Sequence, residues 1–175
     1  MDLPNKKYDI IYADPPWRYG FSKSNNRKIE NQYSTMELEE IKNLPIKNIT
    51  EKDAVLYLWA TAPKLLEAID VMRAWGFTYK THCIWDKEII GMGYWWRGRH
   101  ELLLVGTKGN FSPPSQTLRE PSVYKEKRSL HSKKPNHFRN KIDEYYPKLS
   151  KLELFAREEH TNWDVWGNET DKFIS

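Results

Sequence analysis

The sequence lacks the parts that several function classes need. One cysteine in 175 residues excludes an intramolecular disulfide and a cysteine-rich metal site. That residue, Cys83, lies in the apolar run HCIW and reads as a buried structural thiol. No apolar stretch approaches the roughly 18 residues of a membrane span. The N-terminus MDLPNKKYD lacks the charged-then-apolar layout of a signal peptide. The expectation is a soluble protein of a reducing compartment. The five histidines lack ligand-like spacing, and His131 and His137 have no acidic or cysteine companion, so no metal site is expected. Internal repeats are also absent.

Aromatic residues are plentiful, at 14%, with eight tryptophans. Some of them are expected to serve a site as well as a core. The net charge of +4 suits a polyanionic partner, although a solvated basic face gives the same count. The length is one domain's worth, 1–175.

Short apolar segments alternate with longer periodic ones. YDIIYA (8–13), AVLYLWAT (54–61), YKTHCIWD (79–86), HELLLVGTK (100–108) and KLELFAR (151–157) read as strands. MELEEIKNLPI (36–46) reads as a helix started at Ser34 or Thr35, with acids in its first turn. PKLLEAIDVMRAWGF (63–77) is the clearest helix, with Leu65, Leu66, Ile69, Met72 and Trp75 on one face and Gly76 ending it. PNHFRNKIDEYYP (135–147) is a third, with Phe138, Ile142 and Tyr145 on one side. This alternation predicts an α/β fold with a mostly parallel central sheet and flanking helices. Residues 18–34 and 110–134 carry no regular pattern, are basic, contain aromatics, and read as functional loops.

YADPPWRYG (12–20) sits where the first strand ends. In an open α/β sheet that is the ligand edge. Prolines have no N–H and hold the preceding residue extended, so Asp14, Pro15, Pro16 and Trp17 form a stiff arch. Its carbonyls are expected to point into the cleft. Asp14 adds a carboxylate acceptor and Trp17 a flat apolar face. Such an arch suits a planar heterocycle bearing an NH₂. Two acceptors take the amine protons, the nitrogen lone pair is exposed, and the nitrogen can attack an electrophilic methyl group. A strand-terminating turn with a packed tryptophan is the plainer alternative for the same residues.

The blocks YADPPW (12–17), YSTM (33–36), LYLWAT (56–61), WGF (75–77), IWDK (84–87), GRHELLLVGTKGN (98–110), SKKP (132–135), KLELFAR (151–157) and NWDVWGNE (162–169) follow one another along nearly the whole chain. Together they resemble the MT-A70-like family of S-adenosylmethionine-dependent adenine-N6 methyltransferases, in its compact bacterial or phage form. The resemblance implies a single Rossmann-like class I methyltransferase domain in permuted motif order, with the catalytic DPPW ahead of the cofactor strand. It implies S-adenosylmethionine as cofactor, S-adenosylhomocysteine as product, and no metal. Lys134, before Pro135, matches the family's cofactor-carboxylate contact; the neighbouring Lys133 is the residue to confuse with it. Asp14 faces the cofactor as well as the amine. Arg157, Asn168 and Glu169 match contacts around the ribose and adenine. His160 and Asn162 lie in REEHTNW, which is shorter than the family's corresponding loop, so their alignment stays open. FAREEH replaces the glycine-rich FxGxG of many other DNA methyltransferases, so side chains must hold the cofactor.

The resemblance also places Tyr33 near the target adenosine, which makes Tyr33 and Trp17 the candidates for stacking on the base. Glu101 matches a family acid that binds near the base or holds a basic loop; a surface ion-pair acid is the alternative. Lys23, Arg27 and Lys28 in one loop, and Lys125, Lys127, Arg128 and Lys133 in the other, would contact nucleic acid. Arg97 and Arg99 accompany YWW (94–96), a pattern of nucleic-acid contact unless Trp95 and Trp96 pack the loop to the body. The implied activity is methylation of adenine N6 in DNA, in the cytoplasm of a bacterial or phage-infected cell. RNA is the alternative substrate, a non-catalytic nucleic-acid-binding subunit a further alternative, and cytosine or glutamine methylation is disfavoured by the span of the resemblance. No membrane partner is expected, and the sequence does not separate monomer from homodimer.

Overall fold

The computed structural model of the chain describes residues 2–19, 35–128 and 133–167. Among the described residues seven strands form one sheet: β1 (Tyr8–Ala13), β2 (Thr50–Ala60), β3 (Thr78–Asp86), β4 (His100–Lys108), β5 (Val123–Lys125), β6 (Lys151–Leu154) and β7 (Asp164–Trp166), in the order β5-β3-β4-β2-β1-β6-β7. β1 pairs in parallel with β2 and β6, β6 with β7, and β3 with β5. β4 alone is antiparallel to its neighbours, β2 and β3. Its first residues therefore lie at the edge where all other strands end. The α/β mixed sheet matches the expected mostly parallel arrangement.

Alternate side chains go to opposite faces, and each face has its own core. Ile11, Leu56, Leu58, Leu102 and Leu104 pack with α1 (Leu38–Asn43) and α2 (Leu65–Ala74) through Ile41, Ala68, Val71, Met72 and Trp75. Ile10, Tyr12, Val55, Trp59, Trp85 and Leu103 pack with α3 (Asn136–Tyr145) through Phe138 and Ile142. Burial of each such large apolar side chain contributes roughly 1.5–3 kcal/mol.

Four sequence expectations change. α1 begins after Glu37, not at Ser34 or Thr35: the Glu40 carboxylate accepts the Glu37 N–H at 2.8 Å and satisfies one orphan donor of the first turn. Leu66 is 79% exposed and leaves the core face of α2, where Ala68 and Val71 stand instead. Gly76 ends that helix as expected, at φ +87, with Phe77 N–H donating to the Met72 carbonyl and Gly76 N–H to that of Arg73. The unpatterned stretch 110–134 contains a short helical turn at Gln116–Leu118 and edge strand β5. Cys83 is half-buried, and burial pushes its thiol up to about 12.

Candidate active site

β1 delivers Asp14 to the carboxyl edge of the sheet, and the two prolines turn the chain there. The carbonyls of the arch are less free than expected. Pro15 accepts the Trp17 N–H at 2.8 Å and Pro16 accepts the Met36 N–H at 3.0 Å. Each carbonyl oxygen keeps a second lone pair, so these bonds brace the arch and leave capacity for one more donor. Trp17 corrects a further expectation. It is 7% exposed, belongs to the α1/α2 core, and its Nε1 donates to the Trp59 carbonyl at 3.1 Å. The ring anchors the arch rather than offering an open stacking face. That is the plainer alternative for Trp17, and it holds alongside a polar Asp14.

Lys134 comes to this corner from the loop that opens α3. Its Nζ lies 3.1 Å from Asp14 Oδ2 and 2.9 Å from Glu101 Oε2, and 5.4 Å from the centroid of the Trp59 ring. Lys87, just past β3, reaches Glu101 Oε1 at 3.3 Å. The result is a mostly buried chain of alternating charge, Asp14–Lys134–Glu101–Lys87. Burial alone would neutralise its members. For Lys134 burial lowers the pKa, but Asp14 and Glu101 outweigh it and hold the ammonium above its ordinary value. For Glu101 burial raises the pKa, but two lysines outweigh it and the carboxylate sits below its ordinary range. Asp14 goes the other way. Burial dominates and raises it, because Lys134 is shared and Glu101 adds a like charge nearby. Of the two carboxylates in this array, Asp14 is thus the less compensated and the one with raised proton affinity. Glu101 is no surface acid.

A second cluster stands beside β6. The Arg139 guanidinium donates to Glu153 Oε2 at 2.8 Å and to Asn136 Oδ1 at 2.7 Å, and it also touches His160 Nε2. Burial raises Glu153, while burial and then the Arg139 charge lower His160. β6 is shorter than the KLELFAR reading: it stops at Leu154, and Phe155 turns at φ +62, a conformation a bulky residue adopts only when its surroundings impose it. Arg157 therefore lies beyond the strand, close enough for its charge to lower the Asp14 pKa. Gly167 lies against the same turn; a Cβ there would come within 2.4 Å of the Ala156 carbonyl oxygen.

The structure thus brings Asp14, Lys134 and Glu101 into contact, with Arg157 in electrostatic reach. His160 is committed to Arg139, and Asn162 is exposed at φ +69. Tyr33, Asn168, Glu169, Lys23, Arg27 and Lys28 lie outside the described residues. The Arg99 guanidinium is held bidentately by Asp86 at 2.6 and 2.7 Å. Lys133 pairs with Glu158 at 2.7 Å, which separates its role from that of Lys134. Arg97, Lys125, Lys127 and Arg128 are exposed. Trp95 and Trp96 do not pack the loop to the body, being 94% and 89% exposed. Sequence reasoning missed Lys87, Arg139 and Glu153. The legible signal was the acid in KLELFAR, a charge inside an otherwise apolar strand.

Among the described residues no cluster of three or more His, Cys, Asp or Glu could hold a metal ion, and no helix is long and apolar enough to cross a membrane. Two open cavities, of about 530 and 250 Å³, are lined by residues around Tyr8 and His160 and around Trp17 and Lys64. Neither of these two is lined by Asp14, Lys134 or Glu101.

The MT-A70 family profile matches residues 8–169. The chain is 35% identical to Type II methyltransferase M.MunI of Mycoplasma sp over 95% of its own length and 79% of that protein. It is 29% identical to the N(6)-adenosine-methyltransferase MT-A70-like protein of Drosophila melanogaster, over 94% of this chain but 27% of that one. It is 26% identical to the N(6)-adenine-specific methyltransferase METTL4 of Mus musculus, over 96% and 38%. A profile match from the first strand to residue 169, over a fold that joins Asp14 to Lys134, places the chain in the MT-A70 family of N6-adenine methyltransferases.

Proposed function

We propose that the protein transfers a methyl group from S-adenosylmethionine to the exocyclic N6 amine of adenine in DNA, and that Asp14 and the Pro-Pro arch grip that amine. The observation that carries the reading is the 3.1 Å contact between Asp14 and Lys134, residues far apart in the chain, at the sheet's ligand edge. A carboxylate acceptor stands there beside a cation suited to a carboxylate. DNA is favoured because the higher identity, at comparable length, goes with the type II methyltransferase.

The donor set fits the cofactor. Lys134, at the opening of a ten-residue helix, would hold its carboxylate, since cation and helix N-terminus both favour an anion. Arg157 with Asn168 and Glu169 would serve the ribose and adenine, while His160, engaged by Arg139, would buttress them rather than contact the cofactor. S-adenosylmethionine supplies, when bound, the electrophilic methyl group on its sulfonium. The rest is done by this chain. Asp14 accepts one amine hydrogen and an arch carbonyl the other, which turns the nitrogen lone pair outward. Asp14, held against the amine by that hydrogen bond and with raised proton affinity, would accept the proton the methylated amine gives up. Glu101, kept ionised by two lysines, restrains Lys134 so that Asp14 is not fully neutralised. Preorganised charge and placement provide most of the rate gain.

The order of parts fits a permuted class I arrangement within one domain. β1 carries DPPW, and β6, with the cofactor residues after it, lies parallel beside β1. Tyr33 is the remaining candidate for stacking on the base. Incubation with labelled S-adenosylmethionine and matched single-stranded DNA, duplex DNA and RNA, followed by nucleoside mass spectrometry, tests the reading. N6-methyldeoxyadenosine is expected. The ribonucleoside alone would move the substrate to RNA, and no transfer to any of the three would leave a nucleic-acid-binding subunit.

A further inference from the structure

Residues 87–99 leave β3 and return into β4 at the same edge as Asp14. Their base is pinned. Arg99 grips Asp86 bidentately, Lys87 N–H donates to the Arg99 carbonyl at 2.9 Å, and Gly91 N–H donates to the Gly98 carbonyl at 2.6 Å. The far end is a tight turn that only glycine permits: a Cβ on Gly93 would lie 2.0 Å from the Trp96 carbonyl oxygen. On this turn Tyr94, Trp95 and Trp96 are 98%, 94% and 89% exposed, next to Met92 at 85%. Four contiguous large apolar side chains held in solvent on a pinned loop mark a contact surface.

The surroundings say what it contacts. Exposed Arg97 lies on the loop, and exposed Lys125, Lys127 and Arg128 lie on the segment fastened to its neck by Glu126 N–H to the Asp86 carbonyl at 3.1 Å and Arg128 N–H to the Lys87 carbonyl at 3.3 Å. Flat rings beside a row of cations complement flat bases between phosphates. The neck is also joined to the reacting corner, through Lys87, Glu101 and Lys134 to Asp14. We propose that the tip, residues 92–96, is a wedge that enters the base stack of duplex DNA beside the target adenine and holds open the gap the adenine leaves. Inserted rings replace stacking lost on unpairing, and the cations take the flanking phosphates. The proposal rests on the nucleic-acid reading above and adds how a one-domain enzyme opens a duplex.

The test compares the wild type with Trp95→Ser/Trp96→Ser and with Trp95→Phe/Trp96→Phe. Both rings are almost fully exposed, so neither change disturbs a core. Methyl transfer is measured on a duplex and on the same duplex pre-opened by a run of mismatches. The serine variant should lower the duplex-to-opened rate ratio at least tenfold, and the phenylalanine variant should keep most of it. An unchanged ratio overturns the wedge. A second arm needs no turnover: permanganate oxidation of thymines in the bound duplex. Enhanced reactivity with the wild type, lost with the serine variant, supports the wedge even if methyl transfer is absent. A wild type that retards the duplex without enhanced reactivity overturns it. So does sedimentation showing a dimer that the serine variant dissociates while thymine reactivity stays unchanged, which would assign the tip to a second copy.

Discussion

Two neighbouring regions of this molecule reverse the usual distribution of polarity. At the carboxyl edge of the sheet, Asp14, Lys134, Glu101 and Lys87 carry charge into a largely enclosed corner. A few residues away, Met92, Tyr94, Trp95 and Trp96 hold apolar surface out in water. Buried charge and exposed aromatic clusters are each costly and uncommon. Each is also braced here by bonds that fix it in place: alternating ion pairs in the corner, a bidentate clamp and a glycine turn in the loop. Lys87 belongs to both, as the end of the charge chain and the first residue of the loop. The contrast separates the chemistry from the substrate grip, and substitutions on either side should move different observables.

The largest expected effect is on the corner. Asp14→Ala should lower methyl transfer by about 10²–10⁴-fold, the range lost with a positioned proton acceptor, while calorimetry shows S-adenosylmethionine affinity within a few-fold. Full activity would place the chemistry elsewhere. Lys134→Met removes the shared cation and leaves two buried carboxylates facing each other. Breaking such a pair costs about 3–5 kcal/mol, read as a lower denaturant midpoint, and cofactor affinity should fall with it. An unchanged affinity would remove Lys134 from the cofactor site.

Next in size is a pH effect. Asp14 accepts amine protons only when ionised, and its pKa is raised by burial. The acid limb of the rate should therefore lie at higher pH than for an exposed aspartate, with the rate falling as pH drops through that pKa. Stability moves in opposite directions for the two acids. The raised Asp14 contributes stability that is present below its unfolded pKa and lost as pH rises through the folded one. The lowered Glu101 contributes stability that is present above its unfolded pKa and lost as pH falls through the folded one. Asp14→Asn should remove the acid limb, and a pH–rate profile with the limb unmoved would break the assignment. The smallest effect is expected far from both regions. Leu66→Gln, on the solvent side of α2, should change stability by about 0.5 kcal/mol or less by chemical denaturation.

Several elements were legible without coordinates because their signals are local. β4 occupies the predicted 100–108, and β1 the predicted 8–13, because β-branched and aromatic runs between turn residues have few alternatives. Gly76 was readable as a helix stop, since the left-handed turn after Trp75 favours a residue without Cβ. Trp17 was not readable. Its placement depends on Trp59, forty-two residues away, whose carbonyl claims the indole N–H. Leu66 was misjudged because propensity and spacing do not say how wide the core stripe of α2 is.

What the sequence determined by itself was the set of chemical groups and five of the seven strands: a proline-braced acid after the first strand, a lysine before Pro135, and apolar runs spaced for an α/β sheet. Tertiary structure alone decided which charges meet. Lys134 joins Asp14 and Glu101 only because antiparallel β4 brings its first residues to the edge where β1 ends and α3 begins. Pairing across more than a hundred residues is set by sheet order, and the proton affinities follow from it, since burial and neighbouring charge, not residue type, move a carboxylate's pKa.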